Sequence, residues 1–161
     1  MNQVYLLLGS NLKNPSDNLK KAVLLLNEKT GIQTGISSIF KTAPWGFEHE
    51  SFFLNQVIKI QTELSPLDLL ANILSIEKQM GRKRNGIGYE GRIIDIDILF
   101  FNDLCLNDEK LTIPHPLLHK RRFTLTPLKE LAPEMIHPIF QKTISELLHY
   151  CEDGSLVEIQ K

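Results

Sequence analysis

The densest chemistry in this sequence lies in Arg92-Ile93-Ile94-Asp95-Ile96-Asp97-Ile98-Leu99. On an extended strand, residues two apart face the same side. Asp95 and Asp97 therefore project together, while Ile94, Ile96 and Ile98 face the other way, Ile96 and Ile98 towards a core. Paired carboxylates repel each other, and a strand has little use for them unless a cation sits between. Mg²⁺ is suited to that place, because it takes one or two carboxylates and leaves its other positions to water and phosphate oxygens. Just upstream, the segment from Gly81 to Arg92 carries Arg82, Lys83, Arg84 and Arg92, interspersed with glycines. Arginine forks match phosphate oxygens bidentately, and a glycine-bearing segment suits a lid that closes over a substrate. Together the two clusters supply what phosphoryl transfer requires: carboxylates for metal ions and cations to enclose the moving phosphate.

A third cluster comprises Pro44-Trp45, Phe53, Asn55 and Phe123. Phe53 and Asn55 share one face of a strand, which sets a ring beside an amide. A ring stacks on a flat heterocycle and an amide reads its polar edge; the other reading of Phe53 and Phe123 is plain core. His115, held between Pro114 and Pro116 and followed by Arg121 and Arg122, is either a donor to phosphate or a structural histidine. Gly86-Ile87-Gly88-Tyr89-Glu90-Gly91 fits G-x-G-x-x-G, but it follows a helix and enters a strand. The dinucleotide fingerprint needs the reverse order, and no phosphate-loop motif ending in Gly-Lys-Ser/Thr occurs.

The elements that must position these residues are legible from periodicity. Val4 to Leu8 is a short apolar run that stops at Gly9-Ser10-Asn11, a buried strand ending in a turn. Pro15 to Thr30 carries Leu19, Ala22, Val23 and Leu26 at helical spacing, with Gly31 as the stop. Ile32 to Phe40 is a second strand and Phe53 to Gln61 a third. Ser65-Pro66 reads as an N-cap and first helical residue. A helix marked by Leu67, Leu70, Ile73, Leu74, Glu77 and Met80 follows, ended by Gly81. Ile93 to Phe101 is the fourth strand. The order βαββαβ predicts an α+β protein with a ferredoxin-like core. A hairpin over Leu104 to Ile113, proline-punctuated turns and a last helix near Thr143 to Tyr150 form a C-terminal extension.

The 161 residues suit one domain, 1–161, with a real core. The composition, 42% hydrophobic and 23% charged with a formal net charge of −1, is that of an ordinary globular chain. No global field points to a nucleic acid or a membrane, so an anion site must be local. Cys105 and Cys151 lack C-x-x-C spacing and suit a reduced, cytoplasmic protein, with a monomer as the default. The paired aspartates count against a regulatory ligand-binding domain. An RNA-binding βαββαβ module is disfavoured by the missing aromatic signature. A nucleotidyltransferase would place Gly-Ser close to D-x-D, whereas here most of the core separates them.

With those residues in view, the sequence resembles the hydroxymethyldihydropterin pyrophosphokinases. Gly9-Ser10-Asn11-Leu12, Phe53-Leu54-Asn55, Glu77 with Arg82 and Arg84, Arg92 with Asp95, Asp97 and Ile98, and Pro114-His115-Pro116 carry the likeness in order along nearly the whole chain. The resemblance implies transfer of pyrophosphate from ATP to 6-hydroxymethyl-7,8-dihydropterin, with AMP as the other product, in folate synthesis. It implies that Asp95 and Asp97 hold two Mg²⁺ ions and that Arg82 and Arg92 are mobile-loop arginines acting on the phosphates. It places Glu77, Arg84, Ile98, Lys110, Thr112, His115 and Arg121 at the nucleotide. Phe53 and Phe123 would sandwich the pterin, with Thr42, Pro44, Trp45 and Asn55 reading its edge and Tyr89 as the lid aromatic. The chain departs from the family in having Glu90-Gly91-Arg92 for Gly-Pro-Arg, Tyr89 for tryptophan, Lys110 for arginine and Thr42-Ala43-Pro44 for a double proline.

Overall fold

The computed structural model describes residues 1–42, 52–82 and 92–161. Its centre is β4 (Phe53–Thr62), flanked on one side by β1 (Asn2–Ser10) in antiparallel register from Asn2 opposite Thr62 to Ser10 opposite Leu54. Beyond β1 lies β5 (Asp95–Phe101), also antiparallel. Along the other side of β4 run β2 (Ile32–Ile36) and β3 (Phe40–Thr42) in succession, and β8 (Val157–Ile159) pairs with β3. Leaving out β3 and β8, the order β5-β1-β4-β2 is the antiparallel 4-1-3-2 arrangement of the split βαβ pattern.

The expected second strand is thus two. Ile32 to Phe40 is interrupted at Ser37-Ser38-Ile39, where side chains take over from the ladder. Ser37 Oγ accepts from the Val57 N–H at 2.9 Å, and Gln56 Nε2 donates to the Ser37 carbonyl at 2.9 Å. The first strand is longer than its apolar run, because pairing on both edges carries β1 through Gly9 and pairing with β4 carries it on to Ser10.

Helices α1 (Pro15–Lys29) and α2 (Pro66–Gln79) cover one face of the sheet. Leu19, Ala22 and Leu26 of α1 and Leu69, Ile73 and Ile76 of α2 meet Leu6, Leu8, Ile58, Ile96 and Ile98 in one apolar cluster. Within α2 the expected Ile73, Glu77 and Met80 are buried, but Leu69 and Ile76 complete the buried stripe, leaving Leu67 and Leu74 exposed. Ser65 caps α2 as expected, accepting from the Asp68 N–H at 3.2 Å, with Pro66 at the first helical position. Gly81, at φ +95°, ends it in the left-handed region that favours glycine.

The other face is covered by α3 (Arg122–Leu131) and α4 (Ile144–His149), whose Leu125, Leu128, Ile144 and Leu147 pack on Tyr5, Leu7, Val57, Leu99 and Phe100. Helix α3 replaces the expected proline-punctuated turns. Pro127 lies inside it and removes one helical N–H, but Leu125 and Leu128 are fully buried, so packing outweighs the local break. The expected hairpin is present as the short pair β6 (Leu106–Asn107) and β7 (Thr112–Ile113). The last helix is α4, opened by a capping box between Thr143 and Glu146.

Candidate active site

Among the described residues strand β5 pairs with β1 along one side only, which leaves its other side to α2 and to the β6–β7 hairpin. A cavity of about 270 Å³ runs there, lined in part by Glu77, Asp95, Asp97, Ile98, Lys110, Thr112 and His115. All seven were expected at the nucleotide or the metal from separate stretches of sequence, and Ile98 serves two readings: it belongs to the core cluster while it lines the cavity.

Asp95 and Asp97 lie on one face of β5, both half-buried, with Ile96 and Ile98 buried on the other, as the alternation predicts. Arg82 and Arg92 converge on the first aspartate. Arg82 Nη1 lies 2.7 Å from Asp95 Oδ1, and Arg92 Nη1 lies 2.6 Å from Asp95 Oδ2. Arg82 also contacts Glu77, whose side chain is 3% exposed, through the same Nη1. Burial works against the Arg82 charge, but Asp95 and Glu77 more than offset it and hold its pKa above the ordinary arginine value.

Asp97 behaves differently. Burial and then the neighbouring Asp95 push its pKa up to about 7, against the pull of Arg121. Such a carboxylate gains from a bound cation, and hard oxygen donors facing one way into a cavity suit Mg²⁺. Among the described residues no group of three or more His, Cys, Asp or Glu gathers into a metal cage. Asp95 and Asp97 supply two carboxylates, a donor set that would leave a cation's other positions to phosphate oxygens.

His115 faces this pair, with Nε2 3.9 Å from Asp97 Oδ2. Its Nδ1 accepts the Leu117 N–H at 3.1 Å, which places the remaining ring proton on Nε2. Burial and the Arg121 charge lower its pKa to about 4, so the ring is neutral at pH 7 and presents a donor to the cavity. Arg121 stands at the N-cap position of α3, with its guanidinium carbon 5.6 Å from the centre of the Phe123 ring; neither lines the cavity.

The residues expected at the pterin sit one row across the sheet. Gly9 is opposite Asp95 on one side and opposite Asn55 on the other, so the aspartate and the amide are about two strand spacings apart, ~10 Å, on the same face. A side chain at Gly9 would approach Asn55 Oδ1 to 2.9 Å, so glycine there leaves room for the amide. Asn55 Nδ2 donates to Thr42 Oγ1 at 3.0 Å, and Phe53 pairs with Thr42 in the register of β3 and β4. Phe123 is half-buried in the first turn of α3. Pro44, Trp45, Arg84 and Tyr89 lie outside the described residues.

Sequence reasoning missed Asn11 as a holder of the site. Its Oδ1 accepts the Arg92 N–H at 2.6 Å, while its own N–H donates to the Arg92 carbonyl at 3.0 Å. That two-way clamp fixes the backbone of Arg92 to the first turn. The signal was the Gly9-Ser10-Asn11 turn itself, whose partner 81 positions away no local pattern could supply.

A family model described as 7,8-dihydro-6-hydroxymethylpterin-pyrophosphokinase matches residues 5–133. The 2-amino-4-hydroxy-6-hydroxymethyldihydropteridine pyrophosphokinase of Aquifex aeolicus is 42% identical over 146 residues, covering 91% of this chain and 90% of that protein. That of Bacillus subtilis is 38% identical over 135 residues, covering 83% and 80%. The folic acid synthesis protein FOL1 of Dictyostelium discoideum is 38% identical over 149 residues, and there the chain spans 22% of the relative. Among solved structures, the Plasmodium falciparum HPPK-DHPS wild type with pteroate superposes with a TM-score of 0.75 at 20% identity. It covers 92% of this chain and 44% of that one, a likeness of fold. With a family match over most of its length and close relatives matched nearly end to end, this chain belongs to the 7,8-dihydro-6-hydroxymethylpterin pyrophosphokinase family.

Proposed function

We propose that this chain transfers pyrophosphate from ATP to 6-hydroxymethyl-7,8-dihydropterin in folate biosynthesis, releasing AMP and the pterin diphosphate. The observation that carries the reading is the convergence of Arg82 and Arg92 on Asp95, beside Asp97, at the cavity along β5. Family membership supports ATP as the co-substrate. Asp95 and Asp97 would hold Mg²⁺, two ions on the family's pattern, which when bound neutralises phosphate charge and lowers the pKa of the attacking hydroxyl.

The chain's own residues do the rest. Lys110, Thr112 and the His115 Nε2–H face the cavity and orient the nucleotide, with Ile98 giving it an apolar floor and Arg84 and Arg121 adding cations. The Asn55 amide, held by Thr42, reads the edge of the pterin. The backbone around Pro44 and Trp45 reads that edge too, Phe53 and Phe123 stack on the faces of the pterin, and Tyr89 is the lid aromatic. The pterin hydroxymethyl oxygen attacks the β-phosphorus, the bond to the α-phosphate oxygen breaks, and AMP leaves. Arg82 and Arg92 meet the charge that develops on the moving group. His115, neutral and committed at Nδ1, serves as a hydrogen-bond donor and not as a base.

Residues 1–161 act as one domain in this reading, monomeric and cytoplasmic, with small-molecule partners and no nucleic acid. Among the described residues no helix is long and apolar enough to cross a membrane. The test is nucleotide product analysis with ATP and Mg²⁺, with and without the pterin. Pterin-dependent AMP matched by pterin diphosphate is expected. ADP in its place would make this an ordinary kinase, and no pterin-dependent product would overturn the acceptor.

A further inference from the structure

Strand β5 carries both aspartates at the edge of the sheet, where among the described residues no further strand holds it. An edge strand presents outward N–H groups that need partners. The outward amide between the two aspartates belongs to Ile96, and it donates to Glu77 Oε2 at 2.9 Å. The same carboxylate oxygen receives Arg82 Nη1, which reaches on to Asp95 Oδ1 at 2.7 Å. The Arg82 N–H donates to the Glu77 carbonyl at 3.0 Å, so one glutamate holds both ends of that arginine. Glu77 is 2% exposed and lies in the last turns of α2, packed against the sheet, so the anchor is rigid.

We infer that Glu77 is a positioning residue for the transfer and not a nucleotide ligand: it sets the backbone between Asp95 and Asp97 and fixes the reach of Arg82. This rests on the reaction proposed above. A buried carboxylate that is already shared between a backbone amide and a guanidinium has its acceptor capacity directed at the protein. A phosphate would also be repelled by it although it lines the cavity, whereas the guanidinium it holds lies against Asp95, which lines the same cavity. Residues that orient ligands from behind cost about 10–100-fold in activity when removed.

Glu77→Gln keeps an acceptor for the Ile96 N–H and loses the ion pair with Arg82, while Glu77→Ala loses both. Both variants and wild type are assayed for kcat, for KM with ATP and with the pterin, and for calorimetric affinity towards a non-hydrolysable ATP analogue. The expected result is a kcat lowered by ~10–100-fold in Glu77→Ala and by less in Glu77→Gln, with KM for ATP and analogue affinity unchanged. In an Arg82→Ala background, Glu77→Gln is expected to bring little further loss, because the tie it breaks is already gone. A raised KM for ATP with kcat preserved, or fully additive losses in the double variant, overturns the inference. Should Glu77→Ala fail to fold, the near-isosteric Glu77→Gln and its double variant decide it alone. AMP formation by the wild type tests the underlying reaction separately. Without it that reading falls and takes this one along, and with it the variants judge Glu77 only.

Discussion

At the scale of single residues the two aspartates divide their work. Asp95 is neutralised by two guanidinium contacts, whereas Asp97, desolvated and beside Asp95, is pushed up to about 7. A carboxylate in that condition has the most to gain from Mg²⁺, so its loss is expected to be severe. Asp97→Asn preserves shape and removes the charge. Turnover to AMP is expected to fall by at least ~100-fold, since even residues behind the ligands cost 10–100-fold. Turnover within a few-fold of wild type, measured at saturating ATP and pterin, would remove Asp97 from the metal site. The same-face geometry of this pair was legible from a period of two. The arginine contacts were not, because they close across a stretch of chain whose path the sequence pattern leaves open.

At the scale of elements, the connection between α3 and α4 carries a second histidine–proline turn. His137 Nδ1 accepts the N–H groups of Ile139 and Phe140, each at 3.2 Å, and its ring packs edge-on against Phe100 at 5.5 Å. Burial and then the nearby His119 lower its pKa from 6.5 to about 4. The unfolded chain therefore binds a proton at pH 6.5 that the folded chain refuses until about pH 4. The stability His137 contributes is whole above pH 6.5 and is lost as pH falls through that window. His119 and His115, both shifted down, act in the same direction. His137→Asn keeps an acceptor for the turn and removes the titration. The midpoint temperature of the variant is expected to fall less steeply than that of wild type between pH 6.5 and 4, and parallel slopes would discount His137. Nothing in Pro133 to Pro138 announced this element, since prolines there read as breaks and the histidine's partners are backbone groups.

At the scale of the whole molecule, the sheet separates two apolar clusters and belongs to both. Leu125 of α3 is fully buried against the second face, and Leu125→Ala is expected to cost ~2–5 kcal/mol. Far- and near-ultraviolet circular dichroism in urea should report the same shifted transition if the two layers unfold together. Separate transitions would mean that α3 and α4 dock on an independently stable βαββαβ core. What the sequence by itself determined is what local rules reach: the βαββαβ order, the Ser65 cap, the stops at Gly31 and Gly81, and the shared face of Asp95 and Asp97. Each depends on residues a few positions apart and on burial of one face. What only the tertiary structure decided is which distant groups meet. Glu77 on the Ile96 amide, Asn11 on Arg92, both arginines on Asp95, the break of the second strand at Ser37, the pairing of β8 and the survival of α3 around Pro127 all depend on contacts made after the sheet forms. Those contacts are short-ranged in space but long-ranged in sequence, so the pattern of any one segment does not contain them.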